Sequence, residues 1–130
     1  MRVTRHTRYL LVGGLLLVQG VASGQTAGPL FTVDPSSGPP GTGYQAAASG
    51  PGNTCPSPSD VVIVAFFDAG GTETESEPIP VQPDGSWQVA LTVPAAAAPG
   101  AAEVEAGCHA SATADEPSLA YTPARFTVTG

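Results

Sequence analysis

Proline and glycine set the grain of this chain. Its 130 residues hold 14 prolines and 16 glycines, spread along the length instead of clustered. Proline fixes φ and withholds a backbone donor, while glycine opens turn conformations closed to other residues. Beyond the first two dozen residues, no stretch between these breaks carries a sustained i, i+3, i+4, i+7 apolar pattern. What the breaks leave are segments of strand length, and an all-β domain is the expectation.

The segments have the period of two that a half-buried strand requires. GYQAAASG (43–50) places Tyr44, Ala46 and Ala48 on one face. SWQVALTV (86–93) does the same with Trp87, Val89, Leu91 and Val93, and AAEVEAGCHA (101–110) with Ala102, Val104, Ala106 and Cys108 against outward Glu103 and Glu105. ARFTVTG (124–130) turns Phe126 and Val128 inward, and LFTV (30–33) is a short first strand. VVIVAFF (61–67) is different: it is continuously apolar, as expected of a central strand covered on both faces. TETESEPIPV (72–81) is polar and broken by proline, which suits an edge strand. VDPSSGPPGTG (33–43) reads as a corner between the first two strands, and PDG (83–85) as a reverse turn. PAAAAPG (94–100) holds too few residues between its prolines for more than one helical turn, so it reads as a loop. About seven short strands in one domain predict a two-sheet antiparallel sandwich.

The first 24 residues read as an address. Arg2, Arg5 and Arg8 precede the apolar run LLVGGLLLVQGVA (10–22) and the small residues Ala22, Ser23 and Gly24. This is the three-part pattern of a secretory signal peptide. A membrane-spanning anchor needs about 20 strongly apolar residues, and this run is interrupted by Gly13, Gly14 and Gln19. Cleavage after Gly24 is expected, giving a domain over 25–130. No cysteine stands at the cleavage site for a lipid anchor, and FTVTG at the end carries no apolar tail. The expected localisation is extracellular or in the cell envelope, with no membrane insertion after cleavage.

Removal of that segment takes three of the four basic residues and none of the acids. Arg125 then stands alone against eleven Asp and Glu, a formal charge of −10. Nucleic-acid binding needs a basic footprint, so that class of partner is excluded, and anionic lipid surfaces are disfavoured for the same reason. The two cysteines, Cys55 and Cys108, both lie in the exported part, and an even count in an oxidising compartment predicts one disulfide.

In order, VDPSSGPPGTG (33–43), Ser49-Gly50 with Cys55 soon after, PDGSW (83–87), VPAAAAPGAAEVEAGC (93–108) and FTVTG (126–130) resemble the secreted bacterial immunoglobulin-like modules of the IPT/TIG-like type. The resemblance spans nearly all of residues 25–130. It implies an immunoglobulin-like sandwich and a structural or adhesive role, with an envelope protein or glycan as partner. A second resemblance, through PSSG and the acidic, exported character, is to neocarzinostatin-type apoproteins; those carry two disulfides, and this chain has cysteines for one.

Residue types that carry chemistry also have simpler roles in this sequence. His109 is the only histidine after residue 24 and neighbours Cys108, but adjacent strand residues point to opposite faces and a bridged cysteine is no nucleophile. No nucleophile elbow, zincin helix, phosphate loop or four-ligand zinc pattern is present. Asp68, Glu73, Glu75 and Glu77 offer the hard oxygens of a calcium site, although like charges on a solvated edge strand serve equally to prevent sheet-to-sheet association. Tyr44, Trp87 and Tyr121 would make a carbohydrate platform if coplanar and exposed; the position of Trp87 beside Val89 and Leu91 places it in the core instead. The expectation is a non-catalytic module without cofactor, and the alternative is a small-ligand carrier or calcium-binding module.

Overall fold

The structure, a computed structural model, describes residues 28–130. The expected signal segment, 1–24, lies outside the described residues. Those residues form an immunoglobulin-like sandwich of two packed sheets. Its strands are β1 (Thr32–Asp34), β2 (Ser37–Gly38), β3 (Gly43–Ala48), β4 (Val61–Phe67), β5 (Glu73–Glu75), β6 (Ile79–Pro80), β7 (Trp87–Thr92), β8 (Gly100–His109), β9 (Leu119–Ala120) and β10 (Ala124–Val128). The small sheet runs β1-β3-β7 and the large one β2-β10-β8-β4-β5, with β6 also paired to β4 and β9 to β8.

Each anticipated strand is present, and the alternation fixes which side chains go inside. Tyr44, Ala46 and Ala48 from β3 and Trp87 from β7 meet Val62, Val64 and Phe66 from β4. Ala102, Val104, Ala106 and Cys108 from β8, with Phe126 and Val128 from β10, complete the core. Val62, Val93 and Val104 are wholly inaccessible, and burying a side chain of this size is worth about 1.5–3 kcal/mol. Two aromatic groups divide the interior. Tyr44, Phe66 and Phe126 sit with centroids 5.7–6.1 Å apart. Phe31, Trp87 and Tyr121 sit 5.7–6.0 Å apart, next to the Cys55–Cys108 disulfide, which spans 53 positions of sequence.

Three elements depart from the expectation. The stretch 33–43 is more than a corner: after β1 pairs with β3, the chain crosses to the other sheet and β2 runs parallel to β10, Ser37 opposite Thr127. The N–H groups of Thr127 and Thr129 donate to the carbonyls of Ser36 and Gly38 at 2.9 and 3.0 Å. Gly38 is needed there because a Cβ would collide with the Thr42 side chain, itself held by donation to the Pro39 carbonyl at 2.6 Å. The polar segment 72–81 is two strands, not one. Ser76 accepts the Val64 N–H on its hydroxyl at 3.0 Å and returns its own N–H to the Val64 carbonyl at 2.8 Å, so the ladder breaks before Pro78. Finally, β4 is central in its sheet, but its two faces are covered unequally among the described residues: Val62, Val64 and Phe66 are buried, while on the other face Ala65 is buried and Val61, Ile63 and Phe67 are half-buried.

The PDG turn is welded to the disulfide. Asp84 accepts the N–H and hydroxyl of Ser86 at 2.9 and 2.6 Å, and the Gly85 carbonyl accepts the Cys55 N–H at 2.8 Å. Gly85 has φ of 88°, and a Cβ on it would lie 2.5 Å from the Cys55 carbonyl oxygen. Gly85→Ala is therefore expected to cost about 2 kcal/mol, from the left-handed conformation and the backbone clash, read as a lower urea midpoint with an unchanged slope.

Candidate functional site

Asp68, the acid nearest the polar segment, is held by its neighbours. Its Oδ1 accepts the N–H groups of Gly70 and Thr72 at 2.9 and 3.0 Å, and its Oδ2 accepts the Ala98 N–H at 3.0 Å. Donation from Ala98 first, then Thr72, with Gly70 and Gly71 adding, lowers its pKa below the ordinary 3.8. Both oxygens are thus used to tie the 68–72 turn to the 94–99 loop. A carboxyl whose folded pKa is depressed contributes stability that is complete above its unfolded value and is lost as pH falls through the lower folded value. Acid unfolding of Asp68→Asn should accordingly lack part of the pH slope seen in the parent below the ordinary carboxylate range.

Glu73 and Glu75 stand on the exposed strand β5, on one face as their spacing requires. Glu77 follows the break at Ser76 and has left that register. Among the described residues, the set of His, Cys, Asp and Glu whose ligand atoms gather within 4.8 Å is Cys55, Asp60 and Cys108. The structure therefore does not bring Asp68, Glu73, Glu75 and Glu77 together as one ligand group. In the set that does gather, the two sulfurs are bonded to each other and Asp60 is a structural cap. It is buried and accepts from the Ser57 N–H at 3.3 Å and the Ser118 hydroxyl at 3.4 Å. Thermal unfolding is expected to give one Tm in millimolar calcium and in chelator, and a calcium-dependent rise would restore the calcium site.

Cys108 faces the core, whereas the ring of His109 lies over Gly107 on the opposite face, its Nε2 3.4 Å from where a Gly107 Cβ would stand. Tyr44, Trp87 and Tyr121 are all buried and belong to two different aromatic groups, so they form no shared exposed platform. Burial pushes the Tyr44 hydroxyl up to about 12. Burial also raises Tyr121, partly offset by the indole that donates to it.

The loop 50–60, to which the sequence assigned no role, is organised by Asn53. Its Oδ1 accepts the Leu30 N–H at 2.9 Å and its Nδ2 donates to the Ser49 carbonyl at 3.2 Å. Its own carbonyl accepts the Tyr121 hydroxyl at 2.7 Å. Leu30 and Tyr121 are 23 and 68 positions away, so nothing local announces them. Between the sheets, Tyr44, Phe66, Glu75, Ser76 and Leu91 line a cleft of about 50 Å³, enough for one or two waters.

The outer face of the large sheet gathers charged side chains beside apolar ones. Strand register puts Glu73 and Glu103 on either side of Phe67, and Glu75 and Glu105 on either side of Ala65. Arg125 lies beyond Glu103. Glu73, Glu75, Glu105 and His109 each have an interaction partner, and by register they border the apolar row of β4. No protein-family model matches the chain, and no curated protein matches it either.

Proposed function

We propose that this chain is an exported, non-catalytic immunoglobulin-like module of the IPT/TIG-like kind, structural or adhesive in role, presenting a surface to a protein or glycan of the cell envelope. One observation carries the reading: the cysteines, Asp60, Asp68 and Tyr121 are spent on the fold. Both sulfurs are in the bridge, Asp68 and Asp60 accept donors from loops, and Tyr121 joins Trp87 to Asn53. A disulfide fits an extracellular protein, and no helix among the described residues is long and apolar enough to cross a membrane.

Two measurements test this. Non-reducing mass spectrometry of the exported protein should find a chain starting after Gly24 with both thiols oxidised; an intact leader or two free thiols would contradict the export reading. Photo-crosslinking on intact producing cells should give a discrete adduct with an envelope protein or glycan. Full recovery of the module as uncrosslinked monomer from several labelled faces would overturn the adhesive role.

A further inference from the structure

The apolar run of β4 asks for two covers, and among the described residues the second is incomplete: on the outer face Ala65 is buried, but Val61, Ile63 and Phe67 stay half-buried. Strands that are apolar at every position are those buried on both faces. Here Val62, Val64 and Phe66 fill the core, while Val61, Ile63, Ala65 and Phe67 form a row on the outer face of the large sheet. At about 3.3 Å per residue the row is about 20 Å long. Its two halves have different borders. The Ala65–Phe67 half is flanked by four carboxylates, Glu73 and Glu75 on β5 and Glu103 and Glu105 on β8. The Val61–Ile63 half is flanked by Pro80 and by the His109 and Gly107 positions, with Pro117 against Gly107. Arg125, at the end of the Glu73–Phe67–Glu103 line, is the one cation that strand register adds to this face.

Charge complementarity selects the occupant. A second copy would bring a second domain of formal charge −10 after residue 24 against this one, and like charges across an interface oppose association. A cationic partner reverses that sign. The glutamates on β5 and β8 stand on either side of β4, so the two acidic lines are about 10 Å apart, close to the width of an α-helix. We infer that this face docks a basic amphipathic helix of a protein partner, its apolar stripe on Val61, Ile63 and Phe67 and its lysines or arginines shared with Glu73, Glu75, Glu103 and Glu105. About 13 residues of helix cover the row. This assignment rests on the proposed role as a surface-presenting module and adds the face and the chemistry of the partner.

The test uses a synthetic helical peptide with a leucine stripe bordered by lysines, a scrambled peptide of the same composition, and a version with glutamate for lysine. Titration into the folded domain, followed by amide and methyl NMR shifts and by calorimetry at two salt concentrations, should show shifts concentrated at Val61, Ile63 and Phe67. Affinity should fall with salt, weaken for the scrambled peptide and vanish for the glutamate version. E73Q/E75Q/E103Q/E105Q should lose at least about tenfold in affinity, and Phe67→Thr should lose binding with the NMR fold pattern retained. Shifts mapped to the disulfide end, no binding at millimolar peptide, or an unchanged affinity in the four-Gln variant would overturn the inference. So would sedimentation showing that the face is filled by a dimer. Crosslinks on cells from another face would leave the adhesive role standing and sink this assignment alone; absence of any adduct bears on the role itself.

Discussion

Replacing both half-cystines, as Cys55→Ala with Cys108→Ala, is expected to cost about 4 kcal/mol of folding stability and to lower Tm by roughly 15 °C or more. The bridge spans 53 positions, and opening a loop of that length restores chain entropy to the unfolded state. The cost is large because the domain is small. The same change should increase the surface exposed on unfolding, so the urea slope should rise while the midpoint falls. Equal midpoints for the oxidised and cysteine-free proteins would show that the bridge closes a loop already held by Gly85 and the Cys55 N–H.

Tyr121→Phe is the second large effect. The phenolic oxygen accepts the Trp87 indole N–H at 2.9 Å and donates to the Asn53 carbonyl at 2.7 Å, with the Cys108 sulfur 3.6 Å away. Phenylalanine keeps the ring packing against Phe31 and Trp87 but leaves a donor and an acceptor without their partner. An unsatisfied buried polar group costs about 1–3 kcal/mol, and the two together should cost about 3 kcal/mol. A Trp87→Phe, Tyr121→Phe cycle separates the terms: the double variant should be less destabilised than the sum, because Trp87→Phe removes the orphaned donor. Amide exchange around Asn53 should speed up in Tyr121→Phe, since that hydroxyl pins loop 50–60 to the core.

These predictions rest on contacts of very different legibility. Seven strand segments, their inward faces, the loop at 94–100 and the pairing of Cys55 with Cys108 followed from alternation, breakers and cysteine count. Each of those signals is contained in a few neighbouring residues or in the compartment. The roles of Asp68 and Asn53 did not follow, because their partners include Ala98, 30 positions from Asp68, and Tyr121, 68 positions from Asn53. Asp68 was a candidate ligand in sequence terms, and its oxygens prove to be occupied by backbone donors. The break at Ser76 was half visible: Pro78 signalled an interrupted edge, but the hydroxyl's exchange with Val64 needed β4 alongside.

The apolar run at 61–67 marks the boundary between the two kinds of information. Its composition determined that the strand would be central and would want apolar neighbours above and below, because side-chain period and hydrophobicity are local properties of the chain. Whether both covers come from within the chain is a matter of topology. The small sheet, built from β1, β3 and β7, covers one face only, and only the paired register of β5 and β8 placed four glutamates beside the other. In the same way the turn formers at 33–43 determined a sharp reversal, while the crossing between sheets was decided by the N–H groups of Thr127 and Thr129, which donate to the Ser36 and Gly38 carbonyls. Local patterns set what each strand offers; long-range pairing decided which offers the fold itself takes up.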